Sequence, residues 1–324
     1  MAALRDNLGR IIDYLRISVT DRCNLRCAYC MPAGSEEPPY TLLTRDEILE
    51  VVKCMKPLGV NHVRLTGGEP LVRLDLQEII SGIRDLGIDD ISLTTNGTLL
   101  AASAAALKAA GLARVNVSLD SLNQEVFRKM TGFGAVQDVL RGIDAALEAG
   151  LSPVKVNCVV VGGLNEDGVG DLALLSKRLP VSVRFIEVMP IGPDALANSR
   201  TFVPASAIMA KVREVGELGE APSPGGAGPA RTFRFPGAPG TVGFISPLSQ
   251  PFCSECNRLR VTADGKLRPC LSSDVEFDLV PALRAADKRA TLTQLVRLAL
   301  LQKPGSHRFL SHRSHSRRMC QIGG

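Results

Sequence analysis

A chain of 324 residues holds one large or two modest domains and buries about three-quarters of its unfolded surface. With 45% hydrophobic and 22% charged residues it is neither disordered nor fibrous, and with 4% aromatics and no Trp its core is aliphatic. The net charge of +5 draws on Lys303, Arg308, Arg313, Arg317 and Arg318, a cluster that suits either an anionic partner or a solvated basic tail.

No run of 18 apolar residues is present, which excludes a transmembrane helix, and the N-terminus has no apolar h-region, so a cytoplasmic location and no membrane partner are expected. In chain order, β-rich runs at Tyr14–Thr20, His62–Thr66, Asp90–Thr94, Arg114–Leu119, Val154–Val161 and Val183–Val188 alternate with helical patterns at 44–56, 74–86, 99–110, 136–149 and 167–179. Gly59, Gly87, Gly111 and Gly150 stand where helix C-caps need them. This alternation predicts an α/β fold, a parallel sheet in an open, partial (β/α)6 TIM-type barrel, with a small C-terminal α+β region. The expected division is 1–215 for the barrel, 216–240 as a Gly/Pro-rich linker or loop, and 241–324 for the C-terminal region with a helix near Leu292–Leu301.

Residues with chemical potential follow the strands: CNLRCAYC after the first, GGEP after the second, an Asn-Gly after the third and Met189 after the sixth. In β/α barrels these C-terminal strand ends form the active face. Nine cysteines, most of them in two tight groups, read as metal ligands rather than a disulfide framework. Cys23, Cys27 and Cys30, spaced C-x3-C-x2-C, can hold three corners of a 4Fe–4S cluster and leave one iron open. A structural zinc site is the alternative, and it needs a distant fourth donor. Cys253, Cys256 and Cys270 repeat the theme as C-x2-C-x13-C, where Cys320 or a C-terminal His could complete a zinc site. Cys54, Cys158 and Cys320 stand alone and read as small buried hydrophobes. In GGEP, Gly67 and Gly68 let backbone approach a ligand, Glu69 is an acceptor and Pro70 fixes the turn.

The first cysteine motif with Tyr29 before its last Cys, together with GGEP, resembles the radical S-adenosylmethionine enzymes. PFCSECNRLRVTADGKLRPCL at Pro251–Leu271, LRISVTDRCNLRCAYCMP near the N-terminus and the closing Ile322-Gly323-Gly324 are similar to the GTP 3′,8-cyclase family within them, over nearly the whole chain. The resemblance implies two 4Fe–4S clusters, S-adenosylmethionine as cofactor and GTP as substrate, in the first step of molybdenum-cofactor biosynthesis. It implies that Cys23, Cys27 and Cys30 ligate the radical-generating cluster, and Cys253, Cys256 and Cys270 a second one that binds guanine. Tyr29, Gly68, Ser118 and Met189 match S-adenosylmethionine contacts; Arg16, Arg64, Thr95, Lys155, Arg258, Arg260, Gly323 and Gly324 match GTP contacts. It further implies a reductant protein, a downstream cyclic pyranopterin monophosphate synthase, no nucleic-acid partner, and a monomer or homodimer.

Each carry-over has a plainer alternative: a strand Arg pairs with a carboxylate, Met189 is core packing, and a Gly-Gly end frays. GVGDLA at Gly168–Ala173 is not a dinucleotide fingerprint, because a loop separates it from its strand, and no P-loop motif occurs. PIGPDALANSR after Met189 and the Gly/Pro-rich stretch carry no recognisable pattern. Two rival functions stand beside the main one: a peptide-modifying radical enzyme with an auxiliary cluster, and a non-catalytic metal module that binds nucleic acid.

Overall fold

The computed structural model describes residues 3–31, 41–192, 200–225, 228–309 and 317–323. Six strands and their helices alternate first: β1 (Tyr14–Ser18), α1 (Arg45–Met55), β2 (His62–Thr66), α2 (Leu76–Asp85), β3 (Asp90–Thr95), α3 (Ala104–Ala110), β4 (Arg114–Ser118), α4 (Gln124–Thr131), α5 (Val136–Glu148), β5 (Val154–Val160), α6 (Val169–Arg178) and β6 (Val181–Glu187). Helix α7 (Ala205–Arg213) and the strands β7 (Gly219–Glu220), β8 (Arg231–Arg234), β9 (Thr241–Ile245), β10 (Arg258–Val261), β11 (Lys266–Arg268) and β12 (Phe277–Asp278) follow. Short α8 (Val280–Leu283), α9 (Lys288–Leu301) and the one-turn α10 (Met319–Ile322) complete the chain.

Helix starts follow local chemistry. Thr44 and Glu47 form a reciprocal capping box at α1, and the Asn123 side chain accepts from Glu125 and Val126 at α4. Helix α4 is absent from the sequence expectations, since its eight residues are too few to show a clear 3.6 period. Gly59, Gly87, Gly111 and Gly150 all have positive φ, as the predicted C-caps require.

The sheet runs β12-β11-β10-β1-β2-β3-β4-β5-β6-β9-β8-β7. Strands β1 to β6 lie parallel in chain order, as the partial barrel predicts. The C-terminal region then adds a parallel strand to each edge, β10 beside β1 and β9 beside β6. The segment between β9 and β10 therefore passes from one edge of the open barrel to the other, and it carries Cys253 and Cys256. Residues 216–240, whose composition reads as linker or loop, contain β7 and β8, which extend the sheet antiparallel from β9. Their glycines mark turns and close approaches between elements rather than a tether.

Strand residues alternate strictly. Leu15, Ile17, Val63, Leu65, Ile91, Leu93, Val115, Val117, Val156 and Val183 are fully buried and belong to the aliphatic core shared with the helices. The intervening positions, including Arg16, Arg64, Asn116, Asn157 and Arg184, line the barrel interior. A closed barrel packs this interior with branched aliphatics; here the sheet stays open and the interior is polar. No described helix is long and apolar enough to cross a membrane.

Candidate functional site: two cysteine triplets on one cavity

The first triplet lies on the loop after β1. Arg26 N donates to Thr131 O (2.8 Å) and Ala28 N to Met130 O (2.8 Å), which stitches the loop to the end of α4. Cys30 N and Met31 N both donate to Cys27 O, folding the last part into a tight turn. GGEP presses against the same loop: Gly68 N donates to Thr20 O (2.8 Å) and Glu69 N to Arg22 O (2.7 Å). A Cβ on Gly67 would fall 2.2 Å from Thr20 O, and one on Gly68 would fall 2.3 Å from Arg22 O, so only glycine allows this approach. Glu69 is fully buried and accepts from Thr95 Oγ1 (2.7 Å), Asn96 N (2.6 Å) and Leu71 N (3.0 Å). It staples GGEP to the end of β3, and burial, outweighing those hydrogen bonds, pushes its carboxyl up to about 7.

Tyr29 donates its hydroxyl to Asp120 Oδ2 (2.8 Å), whose other oxygen accepts from Val159 N (2.8 Å). Burial raises Asp120 to about 6 despite these bonds. Burial, with Asp120 nearby, pushes the Cys27 thiol well up, and burial also raises Cys23. A hydrogen bond with Cys320, followed by burial, does the same to Cys30. Cys320 is buried as the sequence suggests, but its sulfur lies 3.8 Å from Met31 Sδ, beside the first triplet rather than the second. It is thus the distant fourth thiol a zinc site would need. Yet among the described residues no three His, Cys, Asp or Glu side chains converge on one ion-sized point. The triplet instead lies on the wall of a cavity of about 320 Å³.

The second triplet lines the same cavity. Cys253 and Cys256 sit on the turn Cys253–Glu255, closed by Cys256 N to Cys253 O (3.2 Å), and Cys270 follows β11 with its sulfur 3.4 Å from Ser272 Oγ. This end of the cavity is cationic. The Lys303 ammonium is 3.5 Å from Cys256 Sγ, and Arg258 lies over the Phe252 ring at 5.1 Å. Burial raises the Cys256 thiol, but the charges of Arg258 and Lys303 outweigh it and bring the group down to about 7.

Basic side chains line the same interior. Arg16 on β1 is in register with Arg64 on β2 and with Arg260 on β10, and Arg258 is in register with Tyr14. Arg184 joins them from β6. Burial, then Arg260 and Arg64, hold the Arg16 guanidinium well below its usual range. Lys155 is fully buried behind this group and donates to Gly225 O (2.8 Å); burial, then Arg184, Arg64 and Arg114, pull it down to about 6. Like charges held together in low dielectric are costly unless a polyanion joins them. Buried polar atoms of the wall also lack a protein partner, namely Tyr14 OH, Thr94 Oγ1, Asn116 Oδ1, Asn157 Oδ1 and both His307 ring nitrogens.

The six ligand cysteines named from the sequence all line this cavity, with Tyr29, Gly68, Ser118, Met189, Arg16, Arg64, Thr95, Arg258 and Arg260. The Thr95 hydroxyl is engaged by Glu69 and by Gly97 N (3.0 Å). Lys155 stands behind the lining, and Arg260 donates to Gly323 O, which brings α10 to the barrel. A Cβ on Gly323 would fall 2.6 Å from Thr66 Cγ2. Gly324 and Arg313 lie outside the described residues. Sequence reasoning missed Arg184, Asn116, Asn157, Asp120 and Lys303, and it named a C-terminal His, which His307 is, only as a zinc donor. The first three are polar residues at inward positions of otherwise aliphatic strands, a signal that strand alternation could have exposed; Lys303 and His307 carry no such period. Arg317, read as part of a basic tail, forks onto Asp264 (3.0 and 2.9 Å) and reaches Glu276 (2.7 Å).

Comparison with known proteins accords with this geometry. Residues 17–175 match the Radical SAM superfamily, and residues 181–309 match Molybdenum Cofactor Synthesis C. GTP 3′,8-cyclase of Pelotomaculum thermopropionicum is 47% identical over 99% of this chain and 100% of its own length. The enzyme of the same name from Heliobacterium modesticaldum is 48% identical over 98% of this chain and 99% of its own.

The chain belongs to the GTP 3′,8-cyclase family.

Among solved structures, Streptococcus suis SuiB bound to S-adenosylmethionine aligns with a TM-score of 0.60 at 15% identity, covering 86% of this chain and 64% of SuiB. Native anSMEcpe with bound AdoMet aligns at 0.56 and 17% identity, covering 91% and 82%. At such identities they speak for the fold alone. In the GTP 3′,8-cyclase family that fold is the radical S-adenosylmethionine partial barrel, and both triplets of this member open on one cavity.

Proposed function

We propose that this chain converts GTP to (8S)-3′,8-cyclo-7,8-dihydroguanosine 5′-triphosphate, the first step of molybdenum-cofactor biosynthesis, with S-adenosylmethionine as cofactor. The observation that carries this reading is one cavity lined by two three-thiol donor sets and by a group of cations. Three-thiol sets on one cavity suit 4Fe–4S clusters with one open iron, and Gly67 and Gly68 let GGEP pack against the loop of the first. When bound, the first cluster supplies the electron that cleaves S-adenosylmethionine to a 5′-deoxyadenosyl radical.

This chain's residues do the placing. Cys23, Cys27 and Cys30 hold the first cluster; Tyr29, Gly68, Ser118 and Met189 hold S-adenosylmethionine against it, with Tyr29 fixed by Asp120. Cys253, Cys256 and Cys270 hold a second cluster that faces the guanine. Arg16, Arg64, Arg258 and Arg260, joined by Arg184, bind the triphosphate and base edges, for which guanidinium forks are suited, and Lys155 supports them from behind the wall. Thr95 contributes to the wall, and Gly323 and Gly324 bring the C-terminus to the substrate. A hydrogen atom passes from the ribose C3′ to the 5′-deoxyadenosyl radical and gives 5′-deoxyadenosine, C3′ bonds to guanine C8, and one electron drawn from the reductant with one proton from solvent completes the product.

Residues 1–215 serve as the S-adenosylmethionine half and 241–324 as the half for the second cluster. Residues 216–240 join them and place Gly228 and Pro229 on the cavity wall. The enzyme works in the cytoplasm as a monomer or homodimer, takes electrons from a reductant protein and hands its product to cyclic pyranopterin monophosphate synthase. The deciding experiment is anaerobic reconstitution with iron and sulfide, then S-adenosylmethionine, dithionite and GTP. GTP-dependent 5′-deoxyadenosine with a cyclised nucleotide is expected. Deoxyadenosine with GTP recovered intact would move the substrate elsewhere. No deoxyadenosine from protein holding its first cluster would end the reading.

A further inference from the structure

Resting on the reading that the second triplet holds a cluster, we propose that Lys303 is its positioning residue: it sets the spacing of the ligand loops and raises the cluster's reduction potential. Lys303 is only 3% exposed. A buried ammonium is tolerated only where its protons are used. All three of them have partners: Cys256 Sγ at 3.5 Å, Arg258 O at 2.7 Å and Pro269 O at 2.8 Å. Arg258 lies two residues after Cys256, and Pro269 immediately precedes Cys270. One ammonium therefore fixes the distance between the two arms that carry these ligands.

The neighbouring residue reaches the third ligand. Pro304 O accepts from Arg10 Nη2 (2.9 Å), and Arg10 Nη1 donates to Cys253 O (2.6 Å). Asp6 holds the other side of that guanidinium at 2.6 Å. The dipeptide 303–304 is thus tied to all three cysteine positions, although it lies more than thirty residues beyond the last of them.

The charge matters separately from the bracket. The partners of Lys303 are a thiol and two carbonyls, none of them a carboxylate, so its positive charge is directed at the sulfur ligand. A cation next to a cluster favours the form that carries one more electron, which moves the potential upward.

The test uses full-length wild type, Lys303→Met and Lys303→Arg, each reconstituted with iron and sulfide and titrated with dithionite while both clusters are followed by electron paramagnetic resonance. Resistance of each cluster's iron to a chelator is measured in parallel. In Lys303→Met the midpoint of the second cluster should fall and its iron should be stripped faster, while the first cluster, serving as the folding control, is unmoved. Lys303→Arg, which keeps the charge, should stay near the wild-type midpoint. If Lys303→Met binds no second cluster, the bracket stands and the Arg variant decides the charge. Two clusters with unmoved midpoints and unmoved chelator resistance in both variants would overturn the role of Lys303 alone, as would an Arg variant shifted as far as Met. A wild-type chain that holds one cluster would overturn the second-cluster reading together with this proposal.

Discussion

The two triplets present the same donor set in different surroundings. Around Cys23, Cys27 and Cys30 the ionisable neighbours are Asp120, Glu69 and Tyr29, and all three thiols are pushed upward. Around Cys256 stand Arg258 and Lys303, and that thiol comes down to about 7, while burial pushes Cys253 of the same triplet up. Donor number alone does not assign a role. An anionic, dry surrounding destabilises added electrons and suits a strong reductant, whereas a cationic one suits an anion-binding site.

Breaking the first triplet should have the largest effect. Cys27→Ala should reduce 5′-deoxyadenosine formation to background and lower the iron content by one cluster, read by product chromatography and iron assay. Breaking the second should separate the two halves of the reaction: Cys256→Ala should keep uncoupled S-adenosylmethionine cleavage while the cyclised nucleotide disappears. Wild-type cyclisation in that variant would remove the second triplet from the chemistry.

A smaller change tests the cationic interior they share. Lys155→Met should weaken GTP binding roughly ten- to a hundred-fold, the worth of a hydrogen bond to a charged group. Burial, then Arg184, hold Lys155 at about 6, so near pH 7.5 it is largely neutral until a triphosphate arrives. Wild-type GTP binding should therefore take up a proton at that pH, seen by calorimetry in buffers of differing ionisation enthalpy, and the variant should lose the uptake. The smallest effect is expected at Glu69. Its folded pKa of about 7 stands above the usual 4.5, so its contribution to stability is complete at low pH and is lost as pH rises through the folded value. The cluster-free chain should melt about 2–4 °C lower at pH 8 than at pH 6, and Glu69→Gln should flatten that slope.

Much of this was legible before any coordinates. Alternation of strands such as His62–Thr66 with amphipathic helices fixes the parallel order, and spacing picks out both triplets. The sequence pattern did not reveal that β9 and β10 join opposite edges of the sheet, because strand pairing at long separation leaves no local period. Nor did composition reveal that Gly228 and Pro229 line the cavity. A glycine that allows close backbone approach, such as Gly228 at 3.3 Å from Arg184 Nη1 if given a Cβ, reads in sequence like one that merely bends a loop. Lys303 was hidden among tail residues, since a buried lysine and a solvated one are written alike.

The pairing of β1 with β10 also bears on how the protein is made. Tyr14 waits for Arg258, about 240 residues later in synthesis. At ribosomal speeds of roughly 5–20 residues per second, the β1 edge stays bare for on the order of tens of seconds. During that interval the nascent chain exposes an unpaired strand edge that other chains could capture. The last translated quarter is therefore also the protein's own guard against aggregation, and truncations in it should fail first as insoluble protein rather than as slow enzyme.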